Sequence, residues 1–108
     1  MSIIKVYPGA CGLETTIEAK KVAPAHVHIS IKSDCKSIND MKIGIVDAMN
    51  DLYNGFENSK VYKKANEHIK HGACPVPCAI LKAVEVEAGL AVAKDIRIEI
   101  IKECEEDI

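Results

Sequence analysis

The sequence predicts an α+β domain built as a two-layer sandwich, in which helices cover one face of a mostly antiparallel sheet. Three observations lead to this class. Apolar and polar residues alternate in three segments of the first third of the chain, as in strands with one buried face. The middle of the chain carries apolar residues at helical spacing. An alternating segment returns near the end, so the predicted order is β-β-β-α-α-α-β.

The composition is typical of one soluble globular domain spanning residues 1–108. Hydrophobic residues make up 48% of the chain and charged residues 28%. A net charge of −2 and an aromatic content of 4% provide neither the positive charge nor the stacking surfaces that nucleic-acid binding requires. No apolar run is long enough for a membrane span or a signal peptide, so we expect a cytoplasmic protein. Residues 103–108 read as a frayed acidic tail.

Three strands are predicted at the start of the chain. The first covers residues 2–7 and ends in the Gly- and Pro-containing turn of residues 8–12. The second covers residues 13–21, and the third follows the turn at Pro24. The predicted core-facing residues of the second and third strands are Leu13, Thr15, Ile17, Ala19, Val27, Ile29 and Ile31.

Three helices and a final strand are predicted after these strands. The first helix runs from about Lys36 to Leu52 and the second over roughly residues 59–70. The third begins at Pro77 and ends before Gly89, which suits the position just beyond a helix. The final strand covers residues 95–102, with its apolar residues facing the core: Ile96, Ile98 and Ile100.

Two cysteines flank the start of the third predicted helix. Pro77 is tolerated in a first helical turn, because the N–H that proline lacks would be unpaired there. Cys78 then lies inside the first turn and Cys74 in the loop just before it. The backbone N–H groups and the positive end of the helix dipole favour thiolate over thiol at such positions. The segment is therefore a candidate for thiol chemistry or metal binding.

The predicted topology brings several cysteines to one end of the sheet. If the second and third strands form a hairpin, Cys11 precedes one strand and Cys35 follows the other at the same end. Two antiparallel helices then return the chain to that end at the loop that holds His71 and Cys74. The alternative is that the thiols only pack as small apolar side chains, as free cysteines often do.

A metal centre is the first functional hypothesis. Zinc takes four thiolate or imidazole ligands, and thiolates hold iron–sulfur clusters. A persulfide carrier that uses Cys74 is the second hypothesis, and a structural or interaction domain with incidental thiols is the third. No Gly-rich phosphate loop or nucleophile elbow is present, so a classical enzyme is not expected. The candidate metal ligands are Cys11, Cys35, Cys74, Cys78 and His71.

The segment Cys74-Pro75-Val76-Pro77, with apolar residues and Lys82 after it, resembles the Cys-Pro-x-Pro motif of small sulfurtransferase-like sulfur-relay proteins. This resemblance implies that Cys74 carries a persulfide at a helix start in a two-layer sandwich. A sulfur- or cluster-transfer protein would then be a partner. In that family the motif follows the first strand, whereas here it follows three predicted strands and two helices.

A broader resemblance covers nearly the whole chain. The chain resembles an uncharacterised family of short cysteine-containing proteins of anaerobic bacteria and methanogenic archaea. The resemblance is carried by five segments: Pro8–Gly12, Asp34-Cys35, Ala73–Pro77, Ala88–Leu90 and Lys94-Asp95. The resemblance implies Cys11, Cys35 and Cys74 as the site trio, and an anaerobic setting favours an iron–sulfur cluster. Separately, an exposed edge strand would allow a homodimer.

Overall fold

The chain is described by a computed structural model over residues 1–104, and these residues form four strands and four helices. The strands are β1 Ser2–Val6, β2 Thr15–Ala23, β3 His26–Ser33 and β4 Gly44–Asp47. The helices are α1 Lys36–Asn39, α2 Ala48–Tyr53, α3 Lys60–His68 and α4 Val76–Glu87. The predicted α+β class is confirmed, while the order of the described elements is β-β-β-α-β-α-α-α.

The four strands form one antiparallel sheet in the order β1-β2-β3-β4. Ile17 of β2 pairs with Ile4 on one side and with Ile31 on the other. The predicted alternation is confirmed over most of β2 and β3, because one residue in two is buried against the helices. Leu13 is the exception, since it lies before β2 and is exposed. The buried residues of this face are Thr15, Ile17, Ala19, Val27 and Ile29.

Helix α4 covers the core face of β1, β2 and β3. It starts at Val76 with Pro75 as the N-cap residue, one residue earlier than predicted. Gly89 ends it with a positive φ of 79°, and the N–H of Leu90 donates to the carbonyl of Glu85 at 2.9 Å. This is the Schellman arrangement, which glycine adopts without strain. The predicted apolar face is confirmed as buried: Ala79, Ile80, Ala83 and Val84.

The predicted long helix over residues 36–52 is wrong. The structure divides this segment into α1, β4 and α2. Gly44 has a φ of +71°, which is incompatible with a continuous right-handed helix. Ile43 and Val46 are buried, whereas Ile45 is 49% exposed, so β-type packing replaces the helical pattern. Asp47 then starts α2 by accepting hydrogen bonds from two backbone N–H groups.

Helix α3 lies close to its prediction, and its start is linked to α2. Ser59 is the N-cap residue, and its hydroxyl oxygen accepts from the N–H of Tyr62 at 3.2 Å. The Ser59 hydroxyl donates to Asp51 Oδ2 at 2.8 Å, and the N–H of Val61 donates to the same oxygen at 3.1 Å. A buried carboxylate of α2 therefore holds the first turn of α3. No helix within residues 1–104 has the length and apolar character needed to cross a membrane.

The predicted final strand over residues 95–102 is also wrong. These residues form neither a strand nor a helix, and none of them pairs with the four-stranded sheet. Ile98 is 75% exposed and Ile100 is 90% exposed, rather than facing the core. Alternation gives a segment the capacity to form a strand, but a strand also needs a neighbouring strand to bond with. Within the described chain, this segment has no such neighbour.

Glu87, at the end of α4, holds the helix to the sheet. Its carboxylate accepts from the Ser2 hydroxyl at 2.6 Å and from the backbone N–H of Lys21 at 3.0 Å. These hydrogen bonds, first the one from Ser2 and then the one from Lys21, hold the pKa of Glu87 below its ordinary value of 4.5. One side chain therefore joins α4, β1 and β2.

Replacing Glu87 by glutamine should make the protein less stable at pH 7. A carboxyl whose pKa is lower in the folded state stabilises the fold above its unfolded pKa, and this contribution is lost as the pH falls through the folded value. The difference in free energy of unfolding between wild type and Glu87→Gln should therefore shrink as the pH is lowered below about 4.5. Urea unfolding at several pH values measures it, with the exposed Glu18→Gln as the matched control. A difference independent of pH would contradict this assignment.

Candidate functional site

The structure places two of the predicted site cysteines at one end of the sheet. The N–H of Asp34 donates to the carbonyl of Glu14 at 3.0 Å, so the turn that holds Cys11 and the residue Cys35 lie beyond the same strand ends. Helix α4 reaches the opposite end at Glu87 and is about 18 Å long, so its start lies toward the end that carries Cys35. The chain segments that carry Cys11, Cys35 and the start of α4 therefore lie toward one end of the sheet, and the convergence of the thiols themselves stays a prediction.

The individual thiols have different surroundings. Cys35 and Cys74 are half-buried and pack against the core. Cys11, Cys78 and Cys104 are exposed, and all five cysteines are free thiols. His71 lies exposed in the loop before α4, where its carbonyl accepts from the N–H of Cys74. In the part of the chain from residue 1 to 104, no group of three or more His, Cys, Asp or Glu residues is placed so that it could hold a metal ion.

The side chain of Cys78 lines a groove on the helical side of the molecule, between α4, α3 and the end of α2. We call it the Cys78 groove, and its volume is about 330 Å³. Phe56 and Tyr62 form one wall, with their rings edge to face and their centroids 5.1 Å apart. Apolar walls with a few polar groups are typical of sites that hold small molecules or groups. The lining residues are Asp51, Leu52, Gly55, Phe56, Tyr62, Cys78, Leu81, Lys82 and Glu85.

Helix α4 supplies one side of the groove through a single face. The residues of α4 that line the groove follow the spacing i, i+3, i+4 and i+7, which places them in one row along a helix. They are Cys78, Leu81, Lys82 and Glu85. The opposite face of α4 is buried in the core. This spacing is visible in the sequence, and it was the signal that could have identified Lys82 and Glu85 as neighbours of Cys78.

The polar groups of the groove interact with each other and with the Cys78 thiol. Lys82 Nζ forms an ion pair with Glu85 Oε1 at 3.0 Å. The hydrogen bond and charge of Glu85 raise the pKa of Lys82 above its ordinary value, with a smaller contribution from a negative charge on Cys78. Partial burial raises the pKa of Tyr62, and a negative charge on Cys78 raises it further. Both side chains line the same groove as Cys78.

The first helical turn of α4 adds backbone donors to this environment. Pro77 has no N–H, so the donors of this turn without an intrahelical acceptor are the N–H groups of Val76 and Cys78, and no side chain caps this helix. Cys78 is the third residue of α4, so its thiol lies beside that turn. Cys78 is exposed, so its sulfur can react with a group that enters the groove.

Comparison with protein-family models gives a match over most of the chain. Residues 2–100 match the model of a family described as a family of unknown function, DUF6951. No curated protein matches the chain, and no solved structure matches it.

Proposed function

Because this chain belongs to DUF6951, a family of unknown function, we propose its role from its own residues: a sulfur carrier in which Cys78 holds a persulfide. The observation that carries the proposal is the exposure of Cys78 in the first turn of α4, at the wall of a groove of about 330 Å³. The thiol is open to a donor, and it lies among the aromatic, aliphatic and charged side chains that line the groove. This combination suits a group that is loaded and later passed on.

The lining of the groove contains one cation, Lys82, together with the carboxylates of Glu85 and Asp51. Lys82 lies one helical turn beyond Cys78 on the same face, and Glu85 holds its ammonium group in place. A thiolate or a persulfide anion at Cys78 gains Coulomb energy from this cation. The Tyr62 hydroxyl is a further hydrogen-bond donor in the groove.

The loading step needs only a donor that itself bears a persulfide. The Cys78 thiolate attacks the terminal sulfur of the donor R–S–SH, forming a new S–S bond as the bond within the donor breaks. The products are the Cys78 persulfide and the donor thiolate, R–S⁻. No net oxidation occurs, and transfer to an acceptor thiolate is the same exchange in reverse. The partner implied is a sulfur-transfer protein or a small persulfide.

The carrier residue in this proposal differs from the one expected from the sequence. The Cys-Pro-x-Pro resemblance assigned the persulfide to Cys74, but that residue is half-buried and packs against the core. Attack on a donor sulfur needs an approach path to the thiol, and the exposed Cys78 offers one. We therefore assign the loading step to Cys78 and a packing role to Cys74.

Two other hypotheses from the sequence stay untested predictions. A zinc ion or an iron–sulfur cluster would require ligands from Cys11, Cys35, Cys74, Cys78 and His71, and no observed distance favours that set. An interaction role with incidental thiols would leave partner binding intact when the cysteines are replaced. The exposure of the Cys78 thiol at the groove is the observation for which we rank persulfide chemistry first.

Replacing Cys78 by serine should remove most of the sulfur loading. After incubation with glutathione persulfide, intact-protein mass spectrometry should show wild type carrying one added sulfur atom. Cys78→Ser should lose at least about nine-tenths of this signal, because serine is not a nucleophile toward sulfur at neutral pH. Cys11→Ser, which removes another exposed thiol, is the matched control and should load normally. Equal loading of wild type and Cys78→Ser would refute the proposal, and loss in Cys74→Ser alone would return the role to Cys74.

A further inference from the structure

The C-terminal segment, residues 92–101, is an apolar strand sequence without a partner in the described chain. It lies beyond α4 and belongs to no helix or strand. It exposes five large aliphatic side chains, and globular proteins seldom leave such a continuous group in water. The family match extends to residue 100, so nearly all of this segment belongs to the region that defines the family. The exposed aliphatic residues are Val92, Ile96, Ile98, Ile100 and Ile101.

The segment already has the side-chain arrangement of a strand. The side chains of Arg97 and Glu99 form an ion pair with each other, as residues i and i+2 do on one face of an extended chain. Ile96, Ile98 and Ile100 consequently share the other face. Isoleucine is among the residues that most favour strands. What the segment lacks is a second strand to accept and donate its backbone hydrogen bonds.

The sheet has two edges, and they differ in how well they are protected. At β4, Lys60 Nζ donates to the carbonyl of Ile45 at 2.8 Å, so a side chain covers part of this short edge. At β1, no hydrogen bond from elsewhere in residues 1–104 reaches the outer backbone groups of the strand. Ile3 on this edge is 54% exposed, and Ile4 is only half-buried. An open edge with apolar residues is a template for strand addition.

We propose that residues 98–101 of one chain pair antiparallel with β1 of a second copy of this protein, giving a dimer with reciprocal strand exchange. One register satisfies both faces of the extended sheet. On the core side, isoleucines meet Ile4 and Val6 beside α4. On the solvent side, the charges of Lys5 and Glu99 are opposite in sign and face each other, and Ile3 pairs with Ile101. The cross-strand pairs are Ile3 with Ile101, Ile4 with Ile100, Lys5 with Glu99, and Val6 with Ile98.

Neighbouring registers are less favourable. A shift by one residue turns the isoleucines of the segment to the solvent face. A shift by two residues in one direction places Lys5 opposite Arg97, and like charges directly opposite destabilise a strand pair. Charge complementarity therefore selects the register with Lys5 opposite Glu99.

Pairing with the edge of the same chain is less favourable than exchange. Helix α4 ends beside Ser2, so a segment that continued directly along its own β1 would run parallel to it. Parallel pairing is slightly less stable per residue than antiparallel pairing. With Ile4 level with Ile98, Lys5 would again lie level with Glu99, but Ile3 would lie level with Arg97 instead of with an isoleucine. A second copy provides the antiparallel direction, and a two-fold axis lets both segments bind at once.

Charge reversal across the proposed contact tests the register. Sedimentation equilibrium of wild type should show a dimer. Lys5→Glu and Glu99→Lys should each weaken dimerisation by about tenfold or more, because each mutation occurs twice in a symmetric dimer. The double variant restores an opposite-charge pair and should recover most of the lost affinity. A wild type that stays monomeric up to about 0.5 mM would overturn the proposal, since even a millimolar contact shows association there. A double variant no better than the single variants would also overturn it.

Cross-linking distinguishes exchange from folding back on the same chain. In a background with the three exposed cysteines replaced by serine, Lys5→Cys and Glu99→Cys are introduced together and mildly oxidised. A disulfide-linked dimer on a non-reducing gel supports exchange, whereas a disulfide within a monomer overturns it. The pair Lys5→Cys with Ile98→Cys is the matched control, because Ile98 lies on the other face of the segment. Circular dichroism identifies any cysteine variant that fails to fold. In that case the charge-reversal variants of Lys5 and Glu99 test the dimer instead. The background replacements are Cys11→Ser, Cys78→Ser and Cys104→Ser.

Discussion

Replacing Ile80 by alanine should lower the free energy of unfolding by about 4 kcal/mol, the largest effect that we expect from a single substitution. Ile80 is completely buried in α4, where the helix covers the sheet. Its removal loses the transfer free energy of three carbon atoms and leaves a cavity between two rigid layers. The surrounding strands are held by their hydrogen bonds and can close only part of this space. Urea unfolding at low protein concentration, followed by circular dichroism, measures the change.

The matched control for this prediction is Ile45→Ala. Ile45 is also an isoleucine next to the core, but its side chain points to solvent from β4. Its replacement should cost about 1 kcal/mol or less, because exposed substitutions leave no cavity. Similar losses for Ile80→Ala and Ile45→Ala would mean that α4 does not seal the core as the structure describes.

Replacing Asp51 by alanine should lower the free energy of unfolding by about 3 kcal/mol. Asp51 Oδ2 accepts from the buried Ser59 hydroxyl and from the N–H of Val61. Alanine leaves both donors without their acceptor, and the residues that carry these donors are completely buried. The link between the end of α2 and the first turn of α3 would be lost, and Tyr62 in that turn borders the Cys78 groove.

Two variants separate this buried carboxylate from an ordinary helix cap. Asp51→Asn keeps an oxygen acceptor but loses the charge, so about half of the loss is expected. Asp47→Ala removes the exposed carboxylate that accepts from Met49 N–H at the start of α2, and it should cost about 1 kcal/mol. An effect of Asp51→Ala no larger than that of Asp47→Ala would argue against the buried network.

The reliable sequence predictions rest on local signals that tertiary contacts reinforce. Alternation in β2 and β3 agrees with a sheet that has one buried face. Ser59 and Gly89 mark the start of α3 and the end of α4, because capping depends on neighbouring backbone groups. Where propensity, periodicity and capping point to the same element, few alternatives compete with it.

The Cys78 groove could be predicted only in part. Pro75 and Pro77 indicate a helix start, so the position of Cys78 in the first turn follows from the sequence. The aromatic wall does not, because Phe56 and Tyr62 are 22 and 16 residues away from Cys78 along the chain. Only the packing of α3 against α4 brings them together. The sequence alone therefore identified candidate thiols, and the packing distinguished exposed from half-buried ones.

The α+β class, the first three strands and the last two helices follow from the sequence alone. The tertiary structure decided the segments at residues 36–52 and 95–102, whose patterns are each compatible with more than one outcome. In the first, the core takes up Ile43 and Val46 from β4, and Gly44 prevents a continuous helix. In the second, alternation indicates that residues 95–102 can form a strand, but a strand also needs a neighbouring strand to which it can hydrogen-bond. Hydrogen-bonding partners and burial are properties of the assembled chain, so periodicity alone cannot specify them.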